Sequence, residues 1–255
     1  MTNYLELTSR NRFFISEELQ LRIKNAGLVL AGCGLSSSFA VTAARIGFEN
    51  FVLADGDKVE LTNLNRQAFF ADQIGENKAK ATSDLLKQIN PNIKARVIDS
   101  FITASEAKEL VASGDIVINT VDFNEVTYLV NEAAMSQSKL CIFPLNVGFG
   151  ALILIFSEAS KTLNDIIGGR IVDSDTDFLL NLYQGLIDYY LPGYVRDNLK
   201  ELFSFINQKS FFPQNAIAAN INAALMSTII LDHLNGKELP LAPTPVFVDA
   251  RSVLT

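Results

Sequence analysis

Two stretches of the chain carry residue types at spacings that could do chemistry. The first is Gly32-Cys33-Gly34, followed by Ser37 and, on the next apolar run, by Asp55. Glycines after a strand let the backbone close on a phosphate, and the helix behind them offers unpaired N–H groups at its positive end. Ser37 stands where a dinucleotide fingerprint has its third small residue, and Asp55 where a carboxylate can take both ribose hydroxyls. A tight strand–helix turn without a ligand would use the same glycines. The second stretch is denser: Asp55-Gly-Asp57, then Asn63-Leu-Asn-Arg66-Gln67, then Ile74-Gly-x-x-Lys78. A dinucleotide needs only its ribose held at this point. A triphosphate needs cations, because charge develops on the leaving pyrophosphate when the α-phosphorus is attacked. Arg66 and Lys78 have that chemistry; a solvated charged loop has the same composition, and spacing alone does not separate the two.

Such residues need a βαβ frame to hold them. Residues 16–26 read as a helix with Ser16 as N-cap and Leu19 and Ile23 on one face. An apolar strand over 28–31, a helix from the glycine turn to about Ile46 ended by Gly47, and a strand over 50–55 follow. The alternation continues with helices over 78–89, from Thr103 (Glu106 completing a capping box), and over 125–137. Strands fall over 95–98, 115–120 and 140–144. This rhythm predicts an α/β, Rossmann-like fold: a mostly parallel sheet with helices on both faces. After Gly150 a strand over 151–156 follows too soon for a crossover, so antiparallel strands extend the sheet in the C-terminal half. One domain over 1–255 fits best. It comprises a helical arm (1–26), a nucleotide-binding core (27–156), a mostly helical excursion (157–212) broken at Gly168-Gly169 and Pro192-Gly193, and a closing helix and strand (213–255).

The bulk properties narrow the function classes. With 255 residues, 49% hydrophobic and 19% charged, the chain is globular and not disordered. A net charge of −7 repels phosphate backbones, which disfavours nucleic acid as the principal partner. Two cysteines cannot build a disulfide framework, and the polar start has no apolar run of a secretion signal. The most apolar helix, over 216–231, is interrupted by Asn220 and Asn222, so no membrane span is expected and the cytoplasm is the expected location.

The order Asp-x-Asp, Asn63-Leu-Asn-Arg66-Gln67 and Ile-Gly-x-x-Lys78 resembles the signature of the ThiF/MoeB/HesA-type adenylyltransferases, the superfamily that includes the ubiquitin-activating enzymes. Arg10-Asn11-Arg12 resembles its N-terminal Asn-Arg segment. Thr120-Val-Asp122 stands at the strand end where the family places a magnesium-binding aspartate, and Val246-Phe-Val-Asp249 resembles its last strand. The likeness runs along nearly the whole chain. It implies that Asp55 binds the ribose of ATP, that Asn63, Arg66 and Gln67 contact ribose and phosphates, and that Lys78 lies on the phosphates. Gly32, Gly34, Ser37 and Asp57 complete the implied nucleotide set. Asp122 would hold Mg²⁺, and Arg12 would act as an arginine finger supplied by the other subunit of a homodimer. The implied reaction is attack of a carboxylate on the α-phosphate of ATP, giving an acyl-adenylate and pyrophosphate. The carboxylate would be the C-terminus of a small ubiquitin-like carrier protein or of a ribosomal peptide.

The sequence also departs from that pattern. The family loop reads Gly-x-Gly-Gly-x-Gly, whereas this one reads Gly32-Cys33-Gly34-Leu35-Ser36-Ser37; Ser37 is small enough to hydrogen-bond a phosphate. No Cys-x-x-Cys pair is present, so no zinc site is expected. No cysteine follows Cys141, and Cys33 and Cys141 read as small buried residues, which argues against a thioester relay. His233 reads as a surface or helix-end packing residue, and the Phe69-Phe70 and Phe211-Phe212 pairs as core or interface residues, either of which could line a groove. Pro144–Gly150 reads equally as a plain turn or as a loop admitting a peptide tail beside the nucleotide. Two other functions compete. A nicotinamide-dependent oxidoreductase would use Gly32, Gly34 and Asp55 but leave Arg66, Lys78 and Asp122 idle. A degenerate peptide- or partner-binding module would suit the altered glycine loop but has no need of a triphosphate-reading set.

Overall fold

The computed structural model describes residues 3–167, 177, 182, 193–209 and 212–252. Among them, seven strands form one sheet in the order β3-β2-β1-β4-β5-β6-β7. These are β1 Gly27–Ala31, β2 Asn50–Ala54, β3 Lys94–Ile98, β4 Ile116–Asn119, β5 Leu140–Val147, β6 Gly150–Phe156 and β7 Val246–Asp249. Strands β1 to β5 pair in parallel, while β6 runs antiparallel to β5 and β7 antiparallel to β6. The chain winds outward from β1 to β3, then returns to the other side of β1 as β4. Strand order therefore reverses between β1 and β4.

The helices preceding the excursion are α1 Tyr4–Leu7, α2 Glu17–Asn25, α3 Ser36–Ile46, α4 Lys78–Ile89, α5 Ala107–Ala112 and α6 Glu125–Ser136. The apolar runs of β1 and β4 are covered on both sides, as a parallel sheet with crossover helices requires. Leu28, Leu30, Ile116 and Ile118 face α2, α3 and the closing helix Ala216–Leu234, packing on Ile23, Phe39 and Met226. Val29, Ala31 and Val117 face the opposite layer of α5 and α6, with Leu110, Val130 and Ala134. The period-2 alternation along each strand thus divides the core into two layers. Gly47 ends α3 at φ +120°, the left-handed position expected after a helix.

Three expectations change. Thr103 and Glu106 do bond (Thr103 N–H donates to Glu106 Oε2 at 2.9 Å), but they close a turn, and α5 starts only at Ala107. Residues 144–147 are not a loop: β5 continues through Pro144 to Val147, fully buried, and pairs with β6 as far as Gly150. Proline is tolerated because β4 pairs with β5 only from Leu140 to Ile142, so no ladder partner on that side needs the missing N–H. The closing helix, despite Asn220 and Asn222, is long and apolar enough by length and composition to cross a membrane. Here one face of it, including Asn222, Ala223 and Ile230, is buried against the sheet.

Among the described residues of the excursion, Leu163–Ile167, Gly193–Asp197 and Leu199–Lys209 are helical. Gly168-Gly169, Pro192 and Phe211 lie outside the described residues. Of the other phenylalanines singled out, Phe69 is buried in a small cluster with Val59 and Leu85, whereas Phe70 is exposed.

Candidate active site

Open α/β sheets bind ligands beyond the carboxyl ends of their strands, where strand order reverses. A cleft of about 600 Å³ opens there, lined by the ends of β1, β2 and β4 through Gly32, Asp55 and Thr120. Gly32 sits at φ +90°, its N–H donates to Ala54 O at 2.8 Å, and a Cβ on it would come within 2.4 Å of Thr120 O. Only glycine lets the chain leave β1 so close to the end of β4. Leu35, where the family has glycine, holds φ −58° and ψ −37°, a right-handed helical conformation open to any residue. The loop backbone therefore makes no demand for glycine at that position.

Asp55 ties this loop to the next one: Oδ2 accepts the Cys33 N–H at 2.7 Å and Oδ1 the Asp57 N–H at 2.8 Å. Each oxygen keeps a further lone pair for a ribose hydroxyl. Burial raises the Asp55 carboxyl above its ordinary range, while the two N–H bonds and the charge of Lys78 pull it back. Asn77 caps α4 by accepting the N–H groups of Ala79 and Lys80 at 3.0 and 3.1 Å, and its Nδ2 donates to Asp55 O at 2.8 Å. That cap fixes the first residue of α4, Lys78, at the cleft, where its Nζ meets Asp57 Oδ2 at 2.9 Å.

Asn63 shapes the adjoining turn. It is buried, its Oδ1 accepts the Glu60 N–H at 3.0 Å, and its main-chain oxygen accepts the N–H groups of Arg66 and Gln67 at 3.1 and 2.9 Å. Arg66 donates from Nη1 to Thr62 O at 3.0 Å and Asn65 Oδ1 at 2.8 Å, and from Nε to Gln214 Oε1 at 3.2 Å. Among the described residues, no carboxylate lies within ion-pair distance of it. Burial lowers its pKa. Two cleft acceptors, Gln67 Oε1 and Asn119 Oδ1, are buried without a hydrogen-bond partner among the described residues. Such an orphan costs about 1–3 kcal/mol.

Asp122 lines the same cleft just beyond β4. Burial raises its carboxyl, the charge of Asp57 raises it further, and Lys78 opposes both. Two hard carboxylates near one another suit a magnesium ion, which takes one or two carboxylates and completes its shell with phosphate oxygens and water. Among the described residues no group of three or more ligating side chains exists, so a cation held here would depend on the nucleotide. A carboxyl with a raised folded-state value contributes stability at low pH that is lost as pH rises through that value. Asp122→Asn is therefore expected to raise the melting temperature of the unliganded protein at neutral pH, with the gain vanishing in acid below the carboxylate range. A melting series from acid to neutral pH that showed no such divergence would remove this reading of Asp122.

Ser37 and Arg12 are not brought to the cleft. The Ser37 hydroxyl donates to Gly34 O at 2.7 Å and accepts the Ala68 N–H at 3.0 Å, fastening the glycine loop to the turn after Arg66. It is buried and does not line the cleft, so the phosphate bond expected of it does not fit its position. Arg12 is exposed, after the turn Ser9–Asn11, and is absent from the cleft of its own chain. Gly32, Gly34, Asp55, Asp57, Asn63, Arg66, Gln67, Lys78 and Asp122 do converge there. Asn119 and Gln214 line it too, without belonging to any motif, and so does Asn146, within the Pro144–Gly150 stretch read as a turn or a tail-admitting loop. The only signal for Asn119 was a polar residue inside an apolar run, Asn146 was marked by its place at the carboxyl edge of the sheet, and Gln214 carried none.

The model of the ThiF family matches residues 8–252. The chain belongs to the ThiF family. The sulfur carrier protein ThiS adenylyltransferase of Escherichia coli K12 is 30% identical over 131 residues, covering 51% of this chain and 52% of that protein. A probable molybdopterin-synthase adenylyltransferase of Gracilaria tenuistipitata var. liui is 30% identical over 148 residues, 57% of this chain and 42% of the relative. This ThiF-family chain thus spans about half the length of the curated relatives it matches. Among solved structures, E. coli MccB with ATP superimposes at a TM-score of 0.67 with 20% identity, over 92% of this chain and 64% of that one. PaaA gives 0.67 with 19% identity, over 97% and 76%. At these identities the likeness is one of fold.

Proposed function

We propose that this ThiF-family chain is an ATP-dependent adenylyltransferase that activates a carboxylate as an acyl-adenylate. The convergence of Asp55, Asp57, Arg66, Lys78 and Asp122 on one cleft at the reversal of strand order carries this reading. Asp55 orients the ribose, and Lys78 and Arg66 offset the charge that grows on the departing pyrophosphate. Asp122 with Asp57 would hold magnesium, which when bound supplies Lewis-acid stabilisation of the phosphate oxygens. The attacking carboxylate oxygen bonds to the α-phosphorus, and the bond from that phosphorus to the bridging oxygen of pyrophosphate breaks. A nicotinamide reaction would leave the two cations and Asp122 without work.

The substrate is the C-terminus of a small carrier protein or of a ribosomal peptide. Relatives carry the names ThiS adenylyltransferase and SAMP-activating enzyme, and some of the MccB structures contain MccA. No thioester relay follows adenylation. Cys33 and Cys141 are both fully buried, and burial lifts the Cys33 thiol well above its ordinary range and the Cys141 thiol to about 12. Arg12 acts in the cleft of a second copy. It is exposed beside Phe13 and Phe14, which are 95% and 86% exposed and ready to be covered by another chain. A sedimentation profile showing only monomer would remove that part.

The test is pyrophosphate exchange into ATP with a panel of peptides ending in a free carboxylate. Exchange that requires the carboxylate, with no thiol-labile conjugate on non-reducing gels, is the expected result. A thiol-labile conjugate would overturn the direct route. Absence of exchange with every carboxylate, at nucleotide concentrations that saturate binding, would favour a catalytically degenerate binding module.

A further inference from the structure

Arg66 is joined to the far end of the chain by a hydrogen-bonded relay whose direction is forced. The Nε of arginine can only donate, so the Gln214 atom facing it at 3.2 Å is the oxygen. The same oxygen accepts Asn146 Nδ2 at 3.0 Å, which turns Asn146 Oδ1 towards Asn222 Nδ2 at 2.7 Å. Asn222 Oδ1 ends the line, buried without a partner among the described residues. A second bond runs beside the first, from Asn65 Nδ2 to Gln214 O at 3.1 Å. Next to Gln214, Asn215 caps the closing helix through the Ala218 N–H and donates to Gly148 O at 2.8 Å. The segment that leads out of the excursion is thus fastened to both walls of the cleft, with Gln214 on Arg66.

We propose that Gln214 is a positioning residue for triphosphate recognition: it holds the Arg66 guanidinium by Nε so that the Nη2 edge meets the phosphates. This rests on the adenylyltransferase reading of the cleft. With Nη1 bonded to Thr62 O and Asn65 Oδ1 and Nε to Gln214, Nη2 is the one nitrogen of the guanidinium without a partner among the described residues. An amide suits this task better than a carboxylate. It accepts the Nε–H without cancelling the charge that the triphosphate needs. Since Gln214 lies between the excursion and the closing helix, the posture of Arg66 depends on how that segment docks.

Calorimetric titration of the full chain with Mg·ATP and with AMP tests this. In Gln214→Met, ATP affinity is expected to fall about tenfold, the size of one lost hydrogen bond to a charged group, while AMP affinity stays within about twofold. In an Arg66→Ala background the same substitution should change neither, because its effect passes through Arg66. Gln214→Glu keeps the acceptor and adds a charge; it should weaken ATP at least as much while sparing AMP, and it serves if the methionine variant does not fold. Equal losses for ATP and AMP, or a loss that persists without Arg66, would reduce Gln214 to a structural part. Wild-type affinity in both variants would also overturn the proposal. If the wild type binds no ATP, the reading of the cleft itself fails and takes the proposal with it.

Discussion

Lys78→Ala should lower the rate of adenylation by about a hundred- to a thousandfold while leaving the protein folded. The lysine is fixed at the start of α4 by the Asn77 cap and is only 9% exposed, with its charge directed to the cleft. Removing one preorganised charge from a site where pyrophosphate leaves costs about 2.7–4 kcal/mol of barrier, which sets that range. The ion pair with Asp57 contributes little to stability. The Lys78 side chain is 11% exposed but that of Asp57 is 44% exposed, so solvent screens the pair from one side and it is worth on the order of 1 kcal/mol. The measurement is pyrophosphate exchange alongside a melting curve. A rate loss below tenfold would take Lys78 out of the chemistry, and a collapse of the melting curve would show that its role is structural.

Gly32→Ala is expected to be the more damaging change for the fold. The residue sits at φ +90°, and the added Cβ would lie 2.4 Å from Thr120 O and 2.6 Å from Thr120 C, both backbone atoms that cannot rotate away. Left-handed strain and overpacking together amount to about 2–5 kcal/mol, or roughly a 10 °C fall in melting temperature for a chain of this size. Gly75 provides the control. It has nearly the same angle, φ +92°, but nothing within 4 Å of its built Cβ, so Gly75→Ala should cost only the strain, about 1–2 kcal/mol. Equal melting temperatures for the two variants would mean that the approach of β1 to β4 is not what requires glycine.

Much of this was legible in the sequence because it rests on local rules. Gly32, Asp55 and Lys78 each sit at the end of an element whose period and caps can be read within a dozen residues. The parallel layering followed from the strand–helix rhythm. Pro144 misled because proline is normally a strand breaker. Its tolerance depends on how far β4 extends alongside β5, which is a tertiary fact. Ser37 was legible as a small residue, but its use was not. Its hydroxyl closes on Gly34 and on Ala68, 31 positions away, instead of on a ligand. The grip on Arg66 was hidden for the same reason, since Gln214 lies 148 positions from it and no motif links them.

The cleft should bind the triphosphate of ATP, and nucleotide-dependent stabilisation measures this without any knowledge of the acyl substrate. A ligand present at about a hundred times its dissociation constant stabilises the folded chain by about 2.7 kcal/mol. Melting curves with Mg·ATP, NAD⁺ and NADH should therefore show a concentration-dependent rise with Mg·ATP and none with the dinucleotides. A rise with NAD⁺ or NADH and none with Mg·ATP would contradict the adenylyltransferase and return the cleft to redox chemistry.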